Sequence, residues 1–282
     1  MSPRPRRLLC FGFGYSARAL ARMLRPVWTI VGTHRTGEPA DRLAFDRSHP
    51  LPPDAFAGVT HILVSVPPDE AGDPVSAQHA ADIAAIPNLA WLGYLSTTGV
   101  YGDRGGAWVD ETSELRPSGT RGQRRVAAEA GWLALHKNQG VPVHVFRLAG
   151  IYGSGRSAFD ALRAGAAKRV DRPGQVFSRI HVDDLARMLL ASIGKPRPGA
   201  IYNVCDDEPA APAMVTAHAA ALLGIEPPPL VPFETAGLSP MAKSFWDDNK
   251  RVSNALIKAE LGVALRYPTY REGLAAILAG GG

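Results

Sequence analysis

The 282-residue sequence is poor in cysteine and has no long apolar run. Its two cysteines, Cys10 and Cys205, lie in strand-like apolar stretches, which predicts buried thiols in a reducing compartment and argues against a disulfide framework. No Cys/His spacing resembles a zinc site, so no metal is predicted. No stretch approaches the ~18 apolar residues of a membrane helix, and glycines interrupt the apolar segment after the basic residues 1–7, unlike a secretory signal. We therefore expect a cytoplasmic protein with no membrane partner.

Positive charge is in slight excess and is dispersed. The 31 Lys and Arg residues outnumber the 26 Asp and Glu residues by five, and they concentrate only in short patches within residues 4–7 and 116–125. No basic helix with interleaved aromatic residues is present, so we expect no nucleic-acid partner. A dinucleotide phosphate or an anionic substrate explains the basicity equally well. The hydrophobic content of 46% suits a globular protein with a sizeable core.

The chain opens with an apolar run, two glycines and an amphipathic repeat. The run at Leu8–Phe11 is typical of a strand buried on both faces, and the apolar repeat after the glycines is typical of a helix. Between them, Gly12 permits a tight turn, Gly14 allows a pyrophosphate to approach the backbone, and Ala17 allows helix and strand to pack closely. A turn without a ligand fits the same spacing. The cofactor-binding residues predicted in this segment are Gly12, Phe13, Gly14, Tyr15, Ser16 and Ala17.

The end of the second predicted strand, residues 27–33, carries an arginine and no acidic residue. An Asp or Glu at this point would hold the ribose hydroxyls of NAD, whereas an arginine suits the 2′-phosphate of NADP. Arg35 therefore predicts NADP as the cofactor, with NAD as the alternative. A solvated loop arginine is the other interpretation of Arg35.

Strand and helix patterns alternate through the first half of the chain, which predicts a parallel sheet wrapped by helices. Ligands in such folds bind beyond the carboxyl ends of the strands. Asp46, Ser65 and Pro67 follow predicted strands and should line the cofactor groove. The hydroxyl-rich exit at Ser96–Thr98 follows the fifth strand and marks the expected place of substrate chemistry. Further helices are predicted over residues 157–168 and 251–261.

Five later segments occur in the order found in a known superfamily. Together with the glycine turn, the sequence resembles the extended short-chain dehydrogenase/reductase superfamily, and more closely its NAD-dependent epimerase/dehydratase branch, in particular the branch's atypical bacterial members. The segments that carry this resemblance are Ser96–Asp103, Phe146–Arg156, Arg179–Leu185, Tyr202–Val204 and Tyr267–Leu274.

The resemblance implies an α/β fold, a Rossmann-type doubly wound parallel sheet with a smaller C-terminal substrate lobe. Residues 1–150 would form the dinucleotide-binding core, to which residues 181–206 return. Residues 151–180 and 207–282 would form the substrate-binding lobe. A homodimer is compatible with this interpretation.

The resemblance also implies a catalytic Ser or Thr, followed by a Tyr-x-x-x-Lys pair on the next helix. Thr97 matches the first position. Arg121 stands where the tyrosine belongs and Arg125 where the lysine belongs. Arginine stays protonated at working pH, so Arg121 cannot accept a proton from an alcohol, although it can anchor a carboxylate or phosphate or stabilise an oxyanion. Arg125 can still hydrogen-bond to ribose hydroxyls.

Other residues are candidates for the missing acid/base role. Tyr101 and Asp103 follow the exit of the fifth strand, although packing under the loop and capping of a turn explain them more simply. His181 is a further candidate, and Asp183 or Asp184 is expected to cap the following helix or to pair with Arg179. An aromatic and basic cluster either closes over the substrate or packs the small lobe; it comprises Phe245, Trp246, Asn249, Lys250 and Arg251.

These observations predict an oxidoreductase or an epimerase/dehydratase-like enzyme that prefers NADP and acts on a small polar or anionic, sugar-like substrate. In this interpretation Thr97 orients the reacting oxygen and Arg121 anchors negative charge. The alternative is a sensor or regulatory protein that binds NADP and has lost the chemistry, because both residues of the Tyr-x-x-x-Lys pair are replaced.

Overall fold

The computed structural model describes residues 6–35 and 43–280. Within these residues the strands, numbered along the chain, are β1 (Arg6–Phe11), β2 (Trp28–His34), β3 (Leu43–Ala44), β4 (His61–Val64), β5 (Trp91–Thr97), β6 (Trp108–Val109), β7 (Val143–Leu148), β8 (Gly150–Tyr152), β9 (Arg169–Asp171), β10 (Arg179–His181), β11 (Ile201–Val204), β12 (Leu230–Pro232) and β13 (Arg251–Val252).

The helices of the same residues are α1 (Tyr15–Leu24), α2 (Pro74–Ala84), α3 (Thr120–Gln139), α4 (Ala158–Arg163), α5 (Val182–Gly194), α6 (Pro212–Leu222), α7 (Pro240–Trp246), α8 (Ala255–Leu261) and α9 (Tyr270–Ala279). Short 3₁₀ turns occur at Pro53–Phe56, Thr98–Tyr101 and Phe233–Thr235. None of the helices in the described ranges combines the length and the hydropathy needed to cross a bilayer.

In the described part of the chain, seven parallel strands form one sheet in the order β3, β2, β1, β4, β5, β7, β11. Leu9 of β1 lies in register with Val31 of β2 on one side and with Ile62 of β4 on the other. The direction of progression along the sheet reverses between β1 and β4, which creates the crevice in which such folds bind ligands. The predicted Rossmann-type fold is confirmed.

Helices cover both faces of this sheet. On one face, α1, α5 and α8 pack through residues such as Leu20, Leu185 and Ile257. On the other face, α2 and α3 pack through Ile83 and Trp132. These side chains are almost fully buried, so the hydrophobic effect fixes both helical layers against the sheet.

Later segments form smaller units beyond the carboxyl edge of the sheet. Parallel two-stranded pairs join β8 to β10, β9 to β12 and β6 to β13. A separate core cluster contains Phe159 of α4, Ala219 of α6 and Leu274 of α9. This arrangement is compatible with a smaller lobe, and the exact division of the chain into core and lobe stays a prediction.

Two predicted helices differ from the observed elements. The helix predicted over residues 157–168 ends at Arg163, because Gly165 adopts a left-handed φ of +64° that stops it. The helix predicted from residue 251 begins at Ala255. Arg251 and Val252 form β13 by pairing with Trp108 and Val109, a long-range contact that local periodicity does not reveal.

Candidate active site

The glycine turn is held between β1, β2 and β4. Gly12 has a φ of +84°, and a Cβ atom there would lie 2.6 Å from Ser65 Oγ. The Gly12 N–H donates to Thr33 Oγ1 at 2.9 Å, and the Phe13 N–H donates to the Thr33 carbonyl at 3.0 Å. Any side chain at position 12 would therefore collide with β4 in a backbone conformation that favours glycine.

The start of α1 is open towards the carboxyl edge of the sheet. A Cβ atom on Gly14 would meet nothing within 4 Å, so no neighbouring side chain covers this part of the backbone. Among the described residues no side chain caps α1 at Gly14, and its first turn contains no acidic residue. Unpaired N–H groups and the positive end of the helix dipole favour an anion here. This geometry fits the pyrophosphate of a dinucleotide.

The other predicted residues of the turn mostly pack around this opening. The Phe13 ring covers Gly32, where a Cβ atom would lie 2.5 Å from it. The Tyr15 hydroxyl donates to the Ser154 carbonyl at 3.0 Å and so joins α1 to the loop after β8. Ser16 and Ala17 are buried. Ala17 belongs to the core cluster of this face, in the close packing that the motif predicts.

The exits of β3 and β4 stabilise the turn and the loops beside it. The Ser65 hydroxyl lies 2.6 Å from the Gly12 carbonyl and donates to it. Asp46 Oδ1 accepts from the Ser48 and His49 N–H groups, and its bond to the His49 ring lowers the pKa of Asp46. Ser65 is thus hydrogen-bonded to the glycine turn, and Asp46 is hydrogen-bonded within its own loop. Pro67 is exposed. Arg35 is exposed directly after β2.

Thr97 ends β5 and begins the turn that follows it. Its Oγ1 accepts from the Gly99 N–H at 3.1 Å, and its side chain is half-buried. The start of α3 packs against this turn, since a Cβ atom on Gly122 would lie 3.0 Å from the Gly99 carbonyl. The fold therefore brings Thr97 and the first turn of α3 together, as the resemblance implies.

Arg121 and Arg125 occupy that first stretch of α3 in different ways. Arg125 Nη1 donates to the Leu95 carbonyl at 2.5 Å and to the Tyr94 hydroxyl at 3.2 Å, so part of its guanidinium is tied to β5. Arg121 is exposed, and its guanidinium lies 5.1 Å from the ring centroid of Phe245 in α7. Arg121 therefore contacts α7 and is exposed to solvent.

The proposed acid/base role of Tyr101 is corrected by its surroundings. Tyr101 is fully buried. Its hydroxyl donates to Asn203 Oδ1 at 2.7 Å and accepts from Arg147 Nη1 at 2.9 Å. Burial also raises the pKa of Tyr101. The Tyr101 hydroxyl thus joins the loop after β5 to β7 and β11 at the edge of the sheet.

Sequence reasoning missed the buried ion pair behind Tyr101. Glu129 and Arg147 are 2% and 3% exposed, and Arg147 Nη2 donates to Glu129 Oε2 at 2.8 Å. Ser96 Oγ donates to Glu129 Oε1 at 2.5 Å. The pair thereby fixes α3 and β7 to the end of β5. Arg147 lies in a segment that carries the resemblance, whereas Glu129 lies in α3 eight residues after Arg121.

The other acid/base candidates also have structural partners. Asp103 Oδ1 accepts from the Asn249 N–H at 2.8 Å. His181 Nδ1 accepts from the Asp183 N–H at 3.2 Å and caps α5. The expectation that Asp183 or Asp184 caps α5 or pairs with Arg179 is wrong. Asp184 instead accepts from the Arg266 and Tyr267 N–H groups at 2.8 Å, which anchors the chain before α9.

Asn249, from the predicted aromatic and basic cluster, links the two parts of the molecule. Its carbonyl accepts from the Arg104 and Gly106 N–H groups, at 3.0 and 2.9 Å. Its side chain accepts from the Val176 N–H at 3.2 Å and donates to the Gly174 carbonyl at 3.0 Å. The segment before β13 is thus fixed both to the loop after β5 and to the loop between β9 and β10.

Asp206 follows β11 and is buried without a hydrogen bond of normal geometry from the described residues to either carboxylate oxygen. Burial raises the pKa of Asp206 to about 8, although the charge of Arg179 opposes this rise. The unfolded carboxyl group ionises near pH 4. Folding therefore favours the protonated form, and the stability of the parent should fall as the pH rises from about 4 to about 8.

We expect Asp206→Asn, which cannot ionise, to gain stability relative to the parent over this pH range. Thermal unfolding gives the Tm of the variant minus the Tm of the parent at each pH. This difference should be larger at pH 8.5 than at pH 5 by about 2–4 °C or more. Asp207→Asn is the matched control, because Asp207 is partly exposed and paired with Lys258 at 3.0 Å. A difference in Tm between Asp206→Asn and the parent that does not change with pH would contradict the raised pKa of Asp206 in the folded protein.

Comparison with known proteins places this geometry among dinucleotide-dependent enzymes. The sequence model of the NAD dependent epimerase/dehydratase family matches residues 78–205. Protein YeeZ from Escherichia coli strain K12 is 30% identical over 223 residues, which cover 76% of this chain and 74% of that protein.

Two solved structures extend the likeness over the whole chain. A conserved protein of unknown function from Silicibacter pomeroyi DSS is 51% identical, with a TM-score of 0.90 and coverage of 97% of this chain and 98% of that one. The dTDP-glucose 4,6-dehydratase of Bacillus anthracis str. Ames, in complex with NAD, is 17% identical, with a TM-score of 0.74 and coverage of 97% and 96%. The similarity to the dehydratase, at 17% identity, shows a shared fold.

Proposed function

Because this chain belongs to the NAD-dependent epimerase/dehydratase family, we propose that it is an enzyme that uses a nicotinamide dinucleotide to oxidise or reduce a carbinol or keto carbon of its substrate. The observation that carries the proposal is the open, uncapped start of α1 at Gly14, two residues after Gly12, which packs against the exit of β4. A dinucleotide bound there would supply the hydride acceptor or donor.

The chain's own residues divide the remaining work. The N–H groups at the start of α1 would hold the pyrophosphate. Thr97 would orient the reacting oxygen of the substrate. Arg121 would anchor negative charge on the substrate or on the developing oxyanion, since its guanidinium lies beside Phe245 and is exposed. Arg125 would contribute positive charge beside the nicotinamide ribose.

The proposed substrate is small, polar and anionic, and a nucleotide sugar fits this description. Support comes from the arginines at the start of α3, a helix end whose first turn contains no acidic residue. The dipole of this helix adds to their charge, so the local field favours a phosphate or carboxylate. The dehydratase from Bacillus anthracis shares this fold, and its name, dTDP-glucose 4,6-dehydratase, gives a nucleotide sugar as its substrate.

Hydride transfer is the direct test of this proposal. The purified protein is mixed with NADP⁺ or NADPH and with a panel of nucleotide sugars and small anionic carbonyl compounds, and the absorbance of the reduced nicotinamide is followed. Turnover or a stoichiometric change of the bound nicotinamide with at least one compound is the expected result. Saturable nucleotide binding without any hydride transfer would contradict the proposal that the protein is an enzyme and would favour a nucleotide-binding sensor. The hydrogen bond from Arg125 to the Leu95 carbonyl supports the sensor.

NADP is proposed over NAD because Arg35 is exposed directly after β2. We expect Arg35→Ala to weaken NADPH binding about tenfold or more and to leave NADH binding unchanged, since it removes a charge-assisted contact to the 2′-phosphate. Isothermal titration calorimetry with both nucleotides measures the effect. Arg163→Ala, at an exposed arginine of α4, is the control. Equal affinity of the parent for both nucleotides would contradict the role of Arg35.

A further inference from the structure

Lys250 is a buried lysine in the segment between α7 and β13, and it is linked through Asp248 to Ser118 just before α3. Its Nζ donates to Asp248 Oδ2 at 3.0 Å, and only 9% of its side chain is exposed. The other oxygen of Asp248 accepts from Ser118 Oγ at 2.5 Å. Ser118 precedes Arg121 by three residues, so this polar chain ends at the turn where the resemblance places the acid/base tyrosine.

The backbone around Lys250 is fixed from two sides. The Asn249 N–H donates to Asp103 Oδ1 at 2.8 Å, in the loop that follows Thr97 and Tyr101. Buried Gln175 donates from Nε2 to the Asp248 carbonyl at 2.8 Å. The backbone just before Lys250 is therefore fixed to the loop after β5 and to the segment between β9 and β10, while the amine itself is held by Asp248. Such fixed placement is the preorganisation that proton transfer requires.

A lysine can perform the proton transfer that Arg121 and Arg125 cannot. Burial lowers the pKa of Lys250, and Asp248 and Asp103 partly oppose this shift while Arg104 adds to it. Among the described residues these are the charged groups that act on the amine, and the Ser118 hydroxyl lies on the far oxygen of Asp248. A larger share of Lys250 is thus neutral near physiological pH than of an exposed lysine, and a neutral amine accepts a proton.

We propose that Lys250 is the proton carrier of the active site, in place of the tyrosine whose position Arg121 occupies, with Asp248 as its positioning residue; this role rests on the proposed function. In the oxidative direction the O–H bond of the substrate breaks and the neutral amine forms a new N–H bond, which makes it an ammonium group beside Asp248. The carbon–oxygen bond becomes double, and the hydrogen on carbon leaves with its electron pair to reduce the nicotinamide. The reductive direction reverses each change.

The test compares Lys250→Met and Lys250→Ala with the parent on the substrate identified by the hydride-transfer panel. Loss of a positioned acid/base group should lower kcat by about 10²–10⁴, with the Kd for NADPH unchanged. Added methylamine should restore part of the rate of Lys250→Ala, which a purely structural lysine would not allow. Lys258→Met removes a comparable pair with Asp207, also at 3.0 Å, and should keep the parent rate.

Asp248→Asn provides an independent readout. Removal of the carboxylate lowers the pKa of the neighbouring amine, so the basic limb of the kcat/KM profile for reduction should move to lower pH. NMR of protein labelled at the lysine ε-carbons follows the same titration without substrate, because the chain has six lysines and Lys250→Met identifies the relevant signal. Titration of Lys250 together with the exposed lysines would overturn the proposal.

The two proposals fail in different ways. A parent that transfers no hydride with any compound of the panel contradicts the proposed function itself. A parent that turns over while Lys250→Met keeps its rate within about threefold of the parent, far from the 10²–10⁴ of an acid/base group, contradicts only the role of Lys250. A fall in rate with a lower Tm and no rescue by amine assigns Lys250 to structure and also overturns its proposed role.

Discussion

Replacement of Arg147 by methionine is expected to destabilise the protein by about 3–5 kcal/mol, because it leaves the Glu129 carboxylate buried without its partner. Arg147 is 3% exposed, and its Nε and Nη2 donate to Glu129 Oε2 at 3.2 and 2.8 Å. The same substitution removes the donor to the Tyr101 hydroxyl. Urea unfolding measures the change, and Tm should fall by about 6 °C or more.

Two controls separate the buried charge from other effects of Arg147→Met. The double variant Glu129→Gln with Arg147→Met removes both charges and should recover part of the lost stability, since no unpaired charge remains. Arg116→Ala breaks an exposed pair with Glu114 and should change the Tm little, because water screens such pairs. An Arg147→Met protein as stable as the parent would contradict the view that this pair holds α3 to the sheet.

Gly14→Val is expected to raise the Kd for NADPH by about 100-fold or more and to leave the fold intact. A Cβ atom at position 14 meets no protein atom within 4 Å, so the side chain intrudes only on a bound ligand. Loss of two charge-assisted bonds from backbone N–H groups to the pyrophosphate accounts for an effect of this size. Calorimetric titration gives the affinity, and thermal unfolding without nucleotide gives the stability.

The matched control for Gly14→Val is Gly119→Val at the start of α3. Gly119 also precedes a helix, has an extended backbone with φ −135° and leaves open space for a Cβ atom. The valine at 119 should leave the Kd for NADPH near the parent value. Nucleotide binding by Gly14→Val at the parent's affinity would show that the pyrophosphate does not lie at this helix.

The sequence was sufficient to predict the parts of the fold that depend on local patterns. The run of alternating strands and helices gave the parallel sheet, because buried strands and amphipathic helices have distinct periods. The glycine turn was predicted from two residues, and the positive φ of Gly12 confirms its need for glycine. The strand β13 was not predicted, because its pairing with β6 joins segments about 140 residues apart.

The candidate site was only partly predictable for the same reason. Thr97 and the arginines of α3 were found through motifs that stay close together in sequence. The aromatic and basic cluster marked Lys250 as a candidate, but Asp248 meets Ser118 across more than 100 residues, and no local pattern signals such a contact. Tyr101 is a candidate only by its position next to a motif, and its hydroxyl is bound within the core, as the simpler packing interpretation expects.

The most direct measurement of the central claim is an isothermal titration of the parent protein with NADPH and with NADH. We expect saturable binding with one nucleotide per chain, tighter for NADPH, because the open start of α1 and Arg35 provide contacts for the pyrophosphate and the 2′-phosphate. The absence of binding heat with both nucleotides, confirmed by an unchanged Tm in their presence, would contradict the claim. The glycine turn would then serve only to join β1 to α1.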